Sequence, residues 1–587
     1  DGSAKAVNLT ESGFDDGRAK WVLGGQAMIW ASNRDGLKSA AQSGGAQNDV
    51  YALFFSRDAW DRFRLTKEEA ALLKDIEDKK TKPEAAKDKK DGADKDKKEE
   101  VKPVDIDWNG LALRKARLTI HSSSLGDALV NKDGDTLYYL ARFERGLNLW
   151  TTNLKTRETK MLVSLNANGG RMAWDKEQKS IFLLSDGSLA KIDPGAGKRE
   201  PVAFRGEMTI DLAAERAAQF EHVWRRTLET FFRAGYHGAD WNALKPVYRK
   251  HLPGVGDGYD FADLLSEMLG ELNVSHSGAR YGRSMDNADE TASLGLLYDH
   301  AYAGPGVRVA EVIAGGPLDR AGLAVAPGTV IEAVDGEPIA ADADIDRYLN
   351  RKAGQNVLLT LAAPPAPARR EITVKPVSPR EESQLLYRRW VLRNQAEVDK
   401  LSGGRLGYIH IPGMSDSAYR SAFEEVLGKF ANKEAIVVDT RFNGGGDLVA
   451  DLDMFLSGKK FFDYTTDTRS TGYEPNFRWT KPSIAIVGEA QYSDGHCFAF
   501  AYQFMKIGKL VGMPVPGTCS FAGWEMLGDS GVRWGVVPVG VKVEGVGFLD
   551  NHQTEPDVRV ALGREAVASG RDEQLEAAVA ELLKELK

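Results

Sequence analysis

Ser493 sits where a serine could act as a nucleophile. The stretch Ser483-Ile-Ala-Ile-Val-Gly-Glu-Ala-Gln-Tyr-Ser-Asp-Gly-His-Cys-Phe-Ala-Phe reads as an apolar strand, a polar turn and a helix beginning around Asp494. Free amides and the dipole at a helix N-terminus favour negative charge, so an oxyanion would be stabilised there, in part by the amide of Asp494. The competing reading makes Ser493 an N-cap, the commonest role for a serine so placed. A second segment, Val437-Val-Asp-Thr-Arg-Phe-Asn-Gly-Gly-Gly-Asp447, runs a buried strand straight into three glycines. Glycine turns sharply and leaves amides bare, which suits an anion or oxyanion site at Gly445 or Gly446. A tight turn without a ligand is the alternative. No Gly-Lys-Ser/Thr follows, which excludes a phosphate-binding P-loop. A third segment, Gly547-Phe-Leu-Asp-Asn-His-Gln-Thr-Glu-Pro-Asp557, is a polar loop with two candidate carboxylates, Asp550 and Glu555.

Composition narrows the remaining classes. The 587 residues are too many for one core, and about 150 residues per domain suggests roughly four. A net charge of −8 argues against a general nucleic-acid binder, which needs a basic face. No apolar run reaches the ~18 residues of a membrane span. The two cysteines, Cys497 and Cys519, could pair but are no disulfide framework. No CxxC or HExxH is present and the nine histidines are scattered, so neither a metal nor another cofactor is expected. Asp1 opens the chain without an initiator methionine or signal peptide. The sequence therefore reads as a processed product or a piece of something longer, with cytoplasm and periplasm both left open.

The elements that must position these residues fall into segments. Residues 75–104 are nearly all charge, Ala and Pro, and read as a disordered loop that cannot bury enough apolar surface to offset chain entropy. Around it lie short strands. GGQAMIW (24–30) is similar to GGRMAW (169–174), and DTLYYLARF (135–143) to KSIFLLSDG (179–187). A repeat of ~40–45 residues built of strands is the period of a propeller blade. Residues 1–205 hold two or three such units, so the reading is a partial β-propeller with a charged insertion. From about 207 the period becomes helical: Phe220, Val223, Trp224, Leu228 and Phe231 share one face. Residues 206–292 read as a small helical domain. Residues 293–378 read as a compact β-rich module and 379–587 as alternating strands and helices, the pattern of a largely parallel sheet. The fold class is thus multidomain α+β.

Residues 306–339 carry Gly316-Pro-Leu-Asp-Arg-Ala-Gly-Leu, then Gly328 and Val334-Asp-Gly. They resemble a PDZ domain of the bacterial peptidase type, in which a loop, here Leu294-Gly-Leu-Leu, captures a peptide carboxylate. A spacer domain is the alternative. The D-x-R-x-N-G-G-G and Tyr-Ser-Asp-Gly strings in this order after such a module resemble the tail-specific and tricorn group of serine peptidases. The resemblance to tricorn-like proteases covers the whole chain. It implies a propeller, a helical domain, a PDZ module and a crotonase-like α/β catalytic domain. Tail-specific peptidases place a lysine base after the nucleophile helix, but residues 510–532 contain neither lysine nor arginine. The tricorn group instead uses a histidine in a Ser-His motif of the helical domain, which corresponds to Ser275-His276. A family glutamate orients that base, and its position falls on Asp550, one methylene shorter; Glu555 is the second candidate. The resemblance implies acyl transfer by Ser493 and His276. Ser275 and Asp550 would hold the imidazole tautomer, and the amides of Asp494 and of Gly445 or Gly446 would hold the oxyanion. It further implies peptides or unfolded chains as substrates and a homo-oligomer. Two rival readings are an inactive peptide-binding scaffold and a crotonase-like acyl-CoA enzyme. Asp463 and Asp467, between the glycines and Ser493, could select a basic side chain or simply lie in a solvated loop.

Overall fold

The computed structural model describes residues 6–80, 104, 106–282, 287–363 and 366–587. The chain divides into two compact units, Asp1–Thr209 and Ile210–Lys587.

The first unit holds three four-stranded antiparallel sheets, each made of strands consecutive in sequence. The first joins Asp16–Val22, Ala27–Ser32, Asp49–Phe54 and Lys115–Arg117. The second joins Ser124–Val130, Thr136–Arg142, Leu147–Asn153 and Thr159–Ala167, and the third runs from Arg171–Trp174 to Arg199–Pro201. Side chains alternate across a strand, and Thr136–Arg142 buries both of its faces. Leu137, Tyr139 and Ala141 pack on Ile29, Ala52 and Phe54 of the first sheet, while Tyr138 and Leu140 pack with Met172, Ile181 and Leu183 of the third. The match of 135–143 with 179–187 therefore relates second strands of successive sheets. The match of 24–30 with 169–174 does not: Ala27–Ser32 is a second strand and Arg171–Trp174 an edge strand. Both strings are a Gly-Gly pair leading into a short apolar strand, a local pattern that carries no information on strand order.

The charged stretch also differs from expectation at its start. Lys67–Lys80 is an α-helix, so 75–80 are ordered, whereas most of the remainder of 75–104 lies outside the described residues. Thr66 and Glu69 exchange hydrogen bonds as a capping box, and Ala, Leu, Glu and Lys all propagate helix well. Counting charge alone hid that propensity.

In the second unit, helices Leu212–Thr230, Trp241–Arg249 and Gly258–Gly270 start at Asp211, Asp240 and Asp257, whose carboxylates accept the first free amides. Phe220, Val223, Trp241, Phe261 and Leu265 form one core with Leu527, Trp534, Val536 and Val537, far along the chain. Strand Gly278–Tyr281 pairs antiparallel with Val532–Gly540, which pairs in turn with Ser520–Met526. The helical segment thus closes on a hairpin of the C-terminal segment. Residues 291–377 fold around a core of Leu294, Val309, Ile331, Leu359 and Leu361, with sheet strands running antiparallel from Leu296–Tyr298 to Ala366–Val374.

The last layer is a five-stranded parallel sheet in the order Leu406–His410, Ala435–Asp439, Ser483–Val487, Leu510–Gly512, Val558–Arg559. Ala435–Asp439 and Ser483–Val487 are buried throughout, as central parallel strands covered on both faces must be. Their C-terminal ends carry the glycine loop and the Ser493 turn.

Candidate active site

Ser493 precedes helix Asp494–Phe504 but does not cap it. Its φ is 56° and ψ −125°, and its side chain makes no capping bond. A non-glycine residue held in this region costs on the order of 1–3 kcal/mol and persists only where the surroundings over-determine it. Here they do. The Ser493 amide donates to Thr518 Oγ1 at 2.8 Å, the Tyr492 amide to Asn443 O at 2.9 Å, and the His496 amide to Ser493 O at 2.9 Å. The N-cap alternative is thereby removed, and Oγ is left half-buried at the end of the sheet.

The glycine string is fixed by its neighbours. Asp439 and Arg441 form a buried ion pair at 2.6 Å, extended to Asp572 at 2.8 Å, which ties the strand end to the C-terminal helix Glu573–Glu585. Fully buried Asn443 donates to Ile411 O and accepts from the Gly445 amide at 2.8 Å. Gly445 has φ +89°, and a Cβ there would lie 2.5 Å from that of Ser493. A Cβ on Gly446 would fall 1.9 Å from Met414 O. Only glycine lets this loop approach the nucleophile. The Gly445 amide is thereby already engaged by the Asn443 side chain. The Asp494 amide, in the first turn of its helix, has no intrahelical partner. The Asp494 carboxylate accepts from the amides of Leu448 and Val449, joining the nucleophile helix to the glycine loop, while burial pushes its pKa up.

Ser275 and His276 follow helix Gly258–Gly270. His276 also has a positive φ, 58°. Its amide donates to Tyr492 Oη at 2.8 Å, and the two rings lie 4.7 Å apart, which sets the imidazole beside the residue preceding Ser493. Ser275 Oγ lies 2.9 Å from His276 Nδ1 and donates to Asp550 Oδ1 at 2.9 Å. Aspartate therefore reaches the hydroxyl despite its shorter side chain. Burial lowers the His276 pKa and keeps the imidazole neutral; burial raises that of Asp550, against the Ser275 hydrogen bond. The structure does not bring Glu555 here, since its exposed carboxylate accepts from Gln553. Asp463 lies on an exposed hairpin, paired with Lys460 at 2.9 Å, and Asp467 is exposed in the turn between the hairpin strands.

Sequence reasoning missed the segment Thr518-Cys519-Ser520. Thr518 receives the Ser493 amide. Cys519 forms a disulfide with Cys497, in the first turn of the nucleophile helix. The amides of Thr518 and Cys519 both donate to Nδ1 of fully buried His496, whose Nε2–H is directed at Thr554 Oγ1; burial pushes its pKa down to about 4. Ser520 Oγ lies among Ser275, His276 and Asp550. The cysteines were the available signal: pairing them would have drawn residue 520 toward Ser493.

A strained serine thus lies between a buried parallel strand and a helix of an α/β domain, facing a glycine loop. The model of peptidase family S41 matches residues 405–560. The tricorn protease C1 domain matches 212–270 and the tricorn protease PDZ domain 303–379. Tricorn protease homolog 1 of Streptomyces coelicolor is 31% identical over 394 residues, 64% of this chain and 36% of that protein. The tricorn protease homolog of Saccharolobus solfataricus is 27% identical over 456 residues, covering 73% and 41%. The tricorn protease of Thermoplasma acidophilum is 25% identical over 478 residues, covering 77% and 42%. A crystal structure of the tricorn protease superposes on 98% of this chain and 55% of its own with a TM-score of 0.78 at 19% identity, a likeness of fold. The chain belongs to the tricorn protease family. It spans less than half the length of these three relatives.

Proposed function

We propose that this protein is a serine peptidase that cleaves peptides or unfolded polypeptides into short fragments through an acyl-enzyme. The observation that carries the reading is Ser493 itself: a positive-φ serine with no capping role, beside two glycines that tolerate no Cβ. Ser493 Oγ attacks the peptide carbonyl carbon while His276 Nε2 takes its proton. The amides of Asp494 and Gly446 hold the oxyanion. His276 then gives the proton to the departing amine as the C–N bond breaks. Water attacks the resulting ester, again deprotonated by His276, and Ser493 recovers its proton. Ser275 and Asp550 keep Nδ1 protonated throughout.

The division into a partial propeller (1–205), a helical domain carrying the base (206–292), a PDZ-like domain (293–378) and a catalytic domain (379–587) belongs to the same proposal. The stacked four-stranded sheets support the first. A PDZ site for substrate carboxylates and assembly into a homo-oligomer are further parts of it. Among the described residues no helix is long and apolar enough to cross a membrane.

A fluorophosphonate probe tests the core claim. Wild type is expected to be labelled and to hydrolyse a peptide library. Ser493→Ala should lose labelling and fall by on the order of 10⁶-fold in kcat. Labelling that survives Ser493→Ala, or acyl-CoA turnover without peptide cleavage, would overturn the reading.

A further inference from the structure

We propose that Ser520 is a positioning residue of the base, a second hydroxyl that shares with Ser275 the task of joining His276 to Asp550. The inference rests on the peptidase reading above. Ser520 opens strand Ser520–Met526 and is 7% exposed. Its Oγ lies 3.2 Å from His276 Nδ1, 3.0 Å from Ser275 Oγ and 3.4 Å from Asp550 Oδ1. All three partners belong to the relay. A buried serine with a purely structural task would satisfy its hydroxyl on a nearby backbone carbonyl, the commonest arrangement for side-chain hydrogen bonds.

Proton counting shows what the second hydroxyl adds. Each hydroxyl has one proton and two lone pairs. Ser275 commits its proton to Asp550. The Nδ1–H of His276 then faces two oxygen acceptors, Ser275 at 2.9 Å and Ser520 at 3.2 Å. Ser520 donates its own proton onward, to Asp550 or to Ser275. When His276 takes the Ser493 proton on Nε2, the positive charge is stabilised through two routes that end at one carboxylate. Either route alone orients the ring and keeps the same tautomer. The location of Ser520 is itself tied to the chemistry. Its neighbour Cys519 is bonded to the nucleophile helix, and Thr518 holds the nucleophile's amide. Three consecutive residues thus fix the nucleophile, its helix and its base relative to one another.

The test is a double-mutant cycle on the full chain, reading kcat, KM and the pH profile of kcat/KM with a peptide substrate. Ser520→Ala and Ser275→Ala are each expected to lower kcat by about 3–30-fold with KM nearly unchanged; the double variant should fall by on the order of 10³-fold or more, beyond the product of the singles. Loss of an oxygen that accepts from the imidazolium destabilises the cation, so the acidic limb of Ser520→Ala should move to lower pH. Ser520→Thr keeps the hydroxyl and should restore both readouts, whereas the near-isosteric Ser520→Val should not. The Thr/Val pair separates the hydroxyl from any packing or folding defect. An active wild type whose kcat and acidic limb ignore Ser520→Ala in both backgrounds, or equal behaviour of the Thr and Val variants, overturns the inference alone. A wild type without peptidase activity, or activity that survives Ser493→Ala, overturns the peptidase reading and the inference with it.

Discussion

Burial favours the neutral form of His276, the form that the proposed role as a base requires. The imidazole is 7% exposed, and removal from water disfavours its charged form, so its pKa lies below the usual 6.5. The sign of the pH dependence follows. At neutral pH the ring is unprotonated and able to accept the Ser493 proton. As pH falls through the lowered pKa the ring is protonated and kcat/KM drops. The acidic limb of kcat/KM is therefore expected below pH 6.5, with a flat region from about 7 to 8. A pH profile on a peptide substrate measures it, and a limb centred above 7 would contradict the burial argument. Legibility at this scale was uneven, for a physical reason. Ser493 stands at a strand–turn–helix junction that local residue types mark, whereas His276, a lone histidine beside a helix end, was reached through the Ser-His motif of the resembled family. Asp550 was reached only through a pattern of family spacing. Ser520 is a serine at the start of an ordinary strand, and nothing in its local sequence distinguishes it, because its role arises from a hairpin folding back on a helix more than 200 residues earlier.

At the scale of elements, the periodicities that translate directly into burial were readable. The central parallel strands and the helix face of Phe220 and Val223 lie where apolar spacing puts them. Less readable were propensity hidden under charge, as in Lys67–Lys80, and the strand order that separates 24–30 from 169–174. The disulfide is the element-scale device with a measurable consequence. Cys497 and Cys519 lie 22 residues apart and bind helix Asp494–Phe504 to the start of strand Ser520–Met526. Closing a loop of this size removes unfolded-state entropy worth about 3 kcal/mol. The Cys497→Ser/Cys519→Ser variant is expected to unfold at lower denaturant, with a loss of stability of about 3 kcal/mol. It should also turn over more slowly, because Thr518 and Ser520 would be less firmly held. Equilibrium denaturation and kcat measured on the same preparation check both parts. An unchanged kcat beside the expected stability loss would show that the hydrogen bonds of His496 and Thr518 suffice to fix the segment.

At the scale of the whole molecule, the site is internal to one unit. Ser275, His276, Ser493, Ser520, Asp550 and the glycine loop all lie in Ile210–Lys587, and the hydrogen bonds that join them there are made by residues of that unit. Each unit also has its own apolar clusters: stacked sheets in the first, and the helix–hairpin, PDZ-like and parallel-sheet cores in the second. Separate cores are what allow parts of a chain to fold alone. Residues 210–587 produced by themselves are therefore expected to melt cooperatively and to take up fluorophosphonate. On a short chromogenic peptide their kcat/KM should fall within about tenfold of the full chain, equivalent to no more than ~1.4 kcal/mol of lost transition-state stabilisation. Short peptides are the right substrate, because they need only the groups around Ser493, whereas an unfolded protein could also engage Asp1–Thr209. A reduced rate confined to long substrates would assign the sheet-rich unit to substrate handling. A fragment that melts cooperatively yet neither hydrolyses nor labels would show that catalysis depends on Asp1–Thr209 after all, and that the relay needs more than the hydrogen bonds within its own unit.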